Sequence, residues 1–240
     1  SISGYLFFLN SEGLASDFFV KFKKRLRTLL IPFLFWSIFW ILLFVALEAI
    51  PKLSVFFTNK HIVTYSIREI LTVIFINPIP HQLWFIRDLL LLVILSPVIY
   101  YLIKTFKYFP VIVFMIIWMC DFNLIFFSNE SLVFFSFGSY LALEKKDLLL
   151  MKFSNDKLFY ALIWFVFLLF RTYLINSSFE NEFLIRMTHY INVLIGIFAV
   201  WSLYDLIVKN KDLTESKIFI VSNFTFFIYV FHDPMLSFIK

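Results

Sequence analysis

Long apolar segments, each close to the length needed to cross a lipid bilayer, follow one another along most of the chain. A transmembrane helix needs about 20 largely apolar residues. Five segments meet or approach that length: Leu29–Ile50, His81–Ile103, Lys157–Ile175, His189–Val208 and Lys217–Ile239. Hydrophobic residues make up 62% of the sequence and charged residues 15%. In soluble domains about 45–50% of residues are apolar and about 25% are charged. The pattern therefore predicts a polytopic membrane protein.

Two shorter spans are predicted between Tyr108 and Leu143, and they meet in a polar turn near Asn129. Ser1–Leu9 resembles the tail of another span, which gives seven complete crossings and one partial crossing. Transmembrane strands would be shorter and would alternate in polarity, so the fold class is an all-α bundle. We predict one integral membrane domain over residues 1–240. We also expect a fragment truncated at the N-terminus and at the C-terminus, because the chain starts and stops within apolar segments.

Basic residues concentrate in alternate loops, which predicts the orientation of the spans because basic loops stay on the cytoplasmic side. The members of this basic set are Lys21, Lys23, Lys24, Arg25 and Arg27, then Lys104 and Lys107, then Lys145, Lys146, Lys152 and Lys157, and last Lys209, Lys211 and Lys217. Between Asp17 and Leu30, apolar residues recur at helical spacing among the first five of these. This pattern predicts an interfacial amphipathic helix that continues into a span. It serves either as an anchor on anionic lipid or as a rim that binds a phosphate-bearing donor through Lys24 and Arg25.

Several spans carry ionisable residues at a similar predicted depth, near the side opposite the basic loops. The members of this set are His81, Arg87, Asp88, Arg171, His189, His232 and Asp233. Exposing such a group to lipid costs at least about 2.5 kcal/mol, so these residues are expected to face the bundle or a watery cavity. Arg87, Asp88 and Arg171 could instead form structural ion pairs or extend toward lipid headgroups. Trp84 is most simply an aromatic residue at the membrane interface.

Five sequence elements, taken in chain order, resemble acyltransferase family 3, the bacterial membrane O-acyltransferases. They are "SISGYLFF" at Ser1–Phe8, "KFKKRLRTLLIPFLFW" at Lys21–Trp36, "HQLWFIRDLLLLVILSPVIY" at His81–Tyr100, "FFSFGSYLAL" at Phe134–Leu143 and "NFTFFIYVFHDPML" at Asn223–Leu236. The resemblance implies about ten helices in the bacterial inner membrane. It also implies transfer of an acyl group, usually acetyl, from cytoplasmic acyl-CoA to a sugar hydroxyl of a cell-surface or lipid-linked glycan.

The resemblance also implies roles for residues of this chain. The family's best-known element is an Arg followed eleven residues later by a His in its first helix. No His of this sequence has an Arg at that distance, so we expect the motif before Ser1. The predicted catalytic residues are His81, Arg87, Arg171 and His232. The predicted substrate-binding residues are Trp84, Asp88 and Asp233, and Lys24 and Arg25 are predicted to bind the acyl-CoA donor. The predicted partners are the bilayer, acyl-CoA and a glycan. No bound cofactor, metal site or nucleic-acid partner is predicted.

Two other functions fit a chain of this composition. A transporter or flippase for a polysaccharide precursor would line its path with the same intramembrane charges, although such proteins often show internal repeats that this sequence lacks. A non-catalytic membrane partner in glycan assembly is the second alternative. Loss of acetyl groups from an intact glycan would favour the enzyme, whereas loss of the exported glycan would favour transport.

Overall fold

A computed structural model describes residues 2–11, 15–54, 61–122, 127–146, 157–177, 181–207 and Tyr229. Every regular element in these ranges is helical, which agrees with the predicted all-α class. The helices are α1 (Ile2–Phe8), α2 (Ala15–Glu48), α3 (Pro51–Ser54), a 3₁₀ turn at Ile62–Thr64, α4 (Ile67–Phe75), α5 (Leu83–Ile94), α6 (Ser96–Phe106), α7 (Phe109–Met119), α8 (Asn129–Leu143), α9 (Lys157–Asn176) and α10 (Glu182–Ile207).

The chain divides into two compact units. The first comprises Ser1–Lys146 together with Phe224–Lys240, and it contains α1 to α8 and Tyr229. The second comprises Asp147–Asn223 and contains the hairpin of α9 and α10. The single domain predicted over residues 1–240 remains a prediction, since a division into compact units does not decide whether the parts fold or work separately.

Three described helices are long and apolar enough to cross a membrane: Ser16–Glu48, Leu158–Asn176 and Glu182–Leu206. The bent pair of α5 and α6 adds a fourth if it forms one crossing. The two short spans predicted between Tyr108 and Leu143 appear as α7 and α8, with 11 and 15 residues, which is below the usual length of about 20 residues. Apart from Tyr229, the predicted span Lys217–Ile239 lies outside the described residues. The count of seven crossings therefore stays a prediction.

The predicted span His81–Ile103 is two helices whose axes differ by 63°. The break follows from Pro97, because proline has no N–H to donate to the carbonyl of Val93 four residues earlier. The Ser96 hydroxyl donates to that carbonyl instead, at 2.7 Å. A buried carbonyl thus keeps a partner where the helical ladder is interrupted, which is how broken helices are tolerated at membrane depth.

The basic segment of α2 continues without interruption into the apolar part of the helix, as predicted. Its 34 residues extend about 51 Å at about 1.5 Å per residue. Most of the apolar stripe of this segment packs on protein, although Phe19 is exposed. Phe18 and Phe22 contact a core centred on Phe8 and Phe135, where α1 meets α8. Further along, Leu26, Leu29 and Leu30 contact a second core, whose members are Phe33, Trp40, Leu83, Ile86 and Leu90 of α2 and α5.

In the segment between α2 and α5, apolar residues at helical spacing predict a helix on or dipping into the outer leaflet, and the prolines of Asn77–Pro80 predict its end. The structure has a helix there, α4. Ser66 begins α4 with a capping box, in which the Ser66 side chain and the Glu69 side chain each bond the other residue's backbone N–H. The helix ends at Phe75, immediately before the Asn77–Pro80 stretch that was predicted to stop it. No residue of α4 is buried. The predicted placement of this helix on the outer leaflet remains a prediction.

Candidate functional site

The first turn of α5 is where sequence and structure concentrate polar groups in the first unit. Two buried prolines, Pro78 and Pro80, lead the chain from the end of α4 into a short turn. The backbone N–H groups of Leu83 and Trp84 then bond the carbonyls of Pro80 and His81, at 2.9 and 3.1 Å. Each of these bonds runs to the carbonyl three residues earlier and forms a turn that leads directly into α5. Backbone hydrogen bonds therefore set the positions of His81 and Gln82.

Arg87 is held in place by three hydrogen bonds from its guanidinium group. Its Nε and Nη2 atoms donate to Asp88 Oδ1 at 3.2 and 3.0 Å, and Nη1 donates to the carbonyl of Ile76. The side chain of Arg87 is 25% exposed, whereas that of Asp88 is fully buried. The arginine therefore joins the end of α4 to the second turn of α5, and part of its charged head remains accessible.

Asp88 is bonded through both carboxylate oxygens. Its Oδ1 accepts from Arg87, and its Oδ2 accepts from the backbone N–H of Ser128 at 2.8 Å. Ser128 is the N-cap of α8, since its Oγ accepts from the backbone N–H of Ser131 at 3.2 Å. A buried carboxylate with a cationic partner and a backbone donor is compensated for the loss of hydration. Asp88 thus ties α5 to the start of α8, and its geometry fits a positioning role better than direct contact with a substrate.

Trp84 and Arg87 lie three residues apart on α5 and therefore share one face of the helix, and His81 lies in the turn that leads into it. His81 is exposed, and Trp84 and Arg87 are partly exposed. The structure thus brings together four of the predicted site residues, three of them on an accessible face and Asp88 behind it. Such a face offers an imidazole, an indole and a guanidinium group to a polar molecule.

Tyr229 bonds the residue that caps the start of α5. Its hydroxyl donates to the carbonyl of Gln82 at 2.8 Å, and its ring packs against the core formed by α2 and α5. The predicted residues His232 and Asp233 lie outside the described residues.

Arg171, predicted to act with the residues just named, belongs to the second unit. It is partly buried on α9, and its Nε atom is buried. Within the described ranges this nitrogen has no hydrogen-bond partner. An arginine in an apolar helix without a counter-charge is costly, so a group that can accept its hydrogen bonds is expected beside it.

Lys24 and Arg25, predicted to bind the acyl-CoA donor, lie on the basic segment of α2. Lys24 is exposed and Arg25 is partly exposed. Nearby, Lys21 pairs with Asp17 at 3.4 Å and donates to the carbonyl of Leu9 at 3.3 Å. Lys24 and Arg25 form no ion pair within the part of the chain that the structure describes. Their positive charge is therefore available to an anion in solution or at a membrane surface.

Sequence reasoning missed three contributors to this region, namely Tyr229, Gln82 and Ser128. The bond from Tyr229 to Gln82 spans 147 positions, and no periodicity or spacing could have pointed to it. Ser128 did give a local signal, because it opens the polar turn near Asn129 and has the residue type preferred for a helix cap.

A further pair was also missed at the end of α2. There Glu48, 5% exposed, lies 3.7 Å from His61 Nδ1 and accepts from the backbone N–H of Ile62 at 2.9 Å. The carboxylate therefore fixes the start of the 3₁₀ turn at Ile62–Thr64. No periodicity or spacing could have pointed to this contact, because Glu48 and His61 belong to separate elements of the chain.

No group of His, Cys, Asp and Glu suited to a metal ion occurs among the described residues. An open apolar cavity of about 210 Å³ lies between α7 and α8. It is lined by Tyr108, Val111, Ile112, Met115, Phe137 and Tyr140. None of the predicted site residues lines it, so this cavity does not mark the site at the start of α5.

The first unit combines a charged face at the start of α5 with α2, a helix long and apolar enough to cross a membrane. These features define an integral membrane protein with a polar site at a helix end. The model of the family described as the acyltransferase domain, family 3, matches residues 1–240. The chain belongs to this family, which confirms the family predicted from the sequence.

One curated relative gives a more specific comparison. The chain is similar to the succinoglycan biosynthesis protein ExoH of Rhizobium meliloti (strain 1021), with 27% identity over 245 residues. The alignment covers 98% of this chain and 63% of the relative. The chain therefore spans less than two thirds of that protein's length. No solved structure matches the chain significantly.

Proposed function

We propose that the protein transfers an acyl group, acetyl in the simplest case, from acyl-CoA to a sugar hydroxyl of a cell-surface or lipid-linked glycan. The match of the acyltransferase model to residues 1–240 carries this proposal. The similarity to a protein named for succinoglycan biosynthesis supports a polysaccharide as the acceptor. The protein would work in the bacterial inner membrane as a multi-pass enzyme with its basic loops in the cytoplasm.

The reaction in this proposal forms one carbon–oxygen bond and breaks one carbon–sulfur bond. The acceptor oxygen attacks the thioester carbonyl, the carbonyl oxygen becomes an oxyanion, and collapse of this intermediate releases the CoA thiolate. The hydroxyl proton leaves through a general base and neutralises the thiolate. The protein must therefore position the hydroxyl and stabilise the oxyanion.

Arg87 suits the second of these tasks. A guanidinium group has five N–H donors, and the three bonds to Asp88 and Ile76 leave two of them for a ligand. Because Asp88 is buried and anchored to Ser128, the guanidinium is held in a set orientation before any substrate binds. Preorganised donors of this kind stabilise developing negative charge without reorganising during the reaction. In this proposal Asp88 is a positioning residue.

The other residues take complementary roles. His81 and His232 bind the acceptor, with Trp84 packing on the sugar ring and Asp233 bonding its hydroxyls. Arg171 is a second candidate for stabilising the oxyanion or holding the sugar. On the predicted cytoplasmic side, Lys24 and Arg25 bind the phosphate groups of acyl-CoA, because Lys and Arg form strong charge-assisted hydrogen bonds with phosphate.

A gene deletion followed by complementation tests the proposed function. We expect the deletion to remove acetyl esters from a surface glycan that is still exported in normal amount, and the full-length wild-type gene to restore them. His81→Ala and Arg171→Ala, tested separately at matched expression, should each restore less than about a tenth of the esters, as expected for loss of a charged hydrogen bond.

Arg68→Ala is the matched control for these variants, because Arg68 is an exposed arginine on α4 away from the start of α5. It should restore wild-type ester levels. Loss of the exported glycan in the deletion strain would contradict the enzyme and favour a transporter. Wild-type ester levels in both His81→Ala and Arg171→Ala would contradict the residue assignment.

A further inference from the structure

The packing of α9 against α10 fixes which residues of the second unit lie at the same level. Gly196 lies against the Trp164 ring, since a Cβ atom at position 196 would be 2.8 Å from Trp164 Nε1. The Tyr160 and Phe198 rings form a second contact, with centroids 6.5 Å apart. From the first contact to the second, the residue number falls in α9 and rises in α10. The two helices are therefore antiparallel, and position 164 lies opposite position 196.

This register places Arg171 opposite position 189 and within one helical turn of the level of Asn192. One turn from Trp164 and Gly196 toward the connecting segment, Leu168 lies opposite Asn192. Arg171 is three residues further, which is about 4.5 Å along the helix axis at about 1.5 Å per residue. Spacings of four, four and three residues from Tyr160 keep Arg171 on the face of α9 that packs against α10.

Both residues carry a buried polar atom that lacks a partner. Asn192 is 7% exposed, and its Oδ1 is buried without a hydrogen-bond donor within the described ranges. Arg171 Nε, a donor, is likewise buried and unbonded among those residues. The neighbouring Thr188 is satisfied, because its hydroxyl donates to the carbonyl of Ile185 at 2.8 Å. The helical hairpin thus presents one unused acceptor and one unused donor within one helical turn of each other.

An unpaired polar group inside an apolar helix pair costs several kcal/mol, so a site of this composition is expected to take a ligand that supplies both bonds. A hydroxyl group does so with a single oxygen, because it donates one hydrogen bond and accepts another. A carboxylate or phosphate would satisfy Arg171 but would repel Asn192 Oδ1, since neither provides a donor when ionised.

We infer that Arg171 and Asn192 form a binding site for a sugar hydroxyl, in which the hydroxyl donates to Asn192 Oδ1 and accepts from Arg171 Nε. This inference rests on the proposed function and names a residue, Asn192, that the sequence did not indicate. Asn192 is an acceptor-binding residue in this scheme. Its removal should weaken the glycan acceptor and leave the acyl donor unaffected.

Kinetics of the full-length protein in lipid nanodiscs test the site. The donor is acetyl-CoA, and the acceptor is the producing cell's own polysaccharide after mild alkali has removed its esters. Asn192→Ala should raise the KM for this polysaccharide about tenfold, as expected for one buried hydrogen bond, with the KM for acetyl-CoA unchanged. Asn192→Leu should do the same, and it keeps a similar volume in an apolar helix.

Ser202→Ala is the matched control. Ser202 is also on α10, is 1% exposed and has a buried hydroxyl without a partner in the described part of the chain. It is ten residues from Asn192, or about 15 Å along the helix. Its substitution should leave both KM values unchanged. An unchanged acceptor KM in Asn192→Leu, or an equal rise in Ser202→Ala, would overturn the inference.

Binding in the absence of donor separates this inference from the proposed function. The de-esterified polysaccharide should raise the melting temperature of the wild-type protein and of Ser202→Ala, but not that of Asn192→Leu. A wild-type protein that binds the polysaccharide without transferring acetyl would contradict the proposed function and leave the site standing. A wild-type protein that does not bind it, or Asn192→Leu that binds equally well, would overturn the site.

Discussion

Replacing Asp88 by alanine should be one of the most destabilising single changes in the first unit. The substitution leaves the Arg87 guanidinium without its anion and the Ser128 N–H without an acceptor, in a place where Asp88 is fully buried. Breaking a buried pair from one side costs about 3–5 kcal/mol. Arg87 is 25% exposed and regains some hydration, so we expect a value near the lower end, about 3 kcal/mol.

Unfolding by SDS in mixed micelles measures this loss, with helical circular dichroism as the signal. Lys21→Ala is the control, because it breaks an ion pair of similar length in which both side chains are about a quarter exposed. That pair should contribute less than about 1 kcal/mol. Hydrogen exchange should also show faster opening at the start of α8 in Asp88→Ala. A loss below about 1 kcal/mol, or equal losses in both variants, would refute the reasoning.

Three further substitutions are read out by the same unfolding titration. Gly4→Ala should cost about 1–3 kcal/mol, because a Cβ atom there would lie 2.1 Å from the carbonyl oxygen of Phe135 and α1 would have to move; wild-type stability would show that the two helices do not cross so closely. Lys107→Gly should add about 1 kcal/mol, because Lys107 has a φ of 54° that glycine adopts without strain; a loss of stability would contradict that conformation. Ser96→Ala should cost about 1 kcal/mol by removing the hydroxyl's bond to the Val93 carbonyl, and no change would show that the Leu95 N–H satisfies this carbonyl by itself.

Helix type and helix ends could be predicted wherever the signal was local. Apolar periodicity and length identified α2, α9 and α10, and the prolines of Asn77–Pro80 marked the end of α4. Pro97 is a local signal for the bend after α5. The span was predicted from the length of its apolar run, and that length is the same for a straight helix and a broken one. The packing of the α2 stripe on protein could not be deduced, because periodicity shows which face is apolar and not what covers it.

In the candidate site, too, the local features could be predicted from the sequence and the long-range contacts could not. Trp84 and Arg87 share a face of α5 because of their spacing, which the sequence displays directly, and His81 lies in the turn just before that helix. The burial of Asp88 and its bond to Ser128 depend on a contact across 40 positions, and the bond from Tyr229 to Gln82 depends on one across 147. Such contacts arise from tertiary packing, so charge and spacing suggested the residues but not which of them hold the others in place.

Arg87 provides the most direct test of the proposed site. Arg87→Lys keeps the charge but loses the planar group that bonds Asp88 and Ile76 while still offering donors to a ligand. Arg68→Lys makes the same change at an exposed position on α4. The measurement is transfer of labelled acetyl from acetyl-CoA to de-esterified polysaccharide by full-length protein at matched expression. The account predicts that Arg87→Lys lowers the transfer rate about a hundredfold while Arg68→Lys leaves it unchanged. Equal, wild-type rates for the two variants would contradict it.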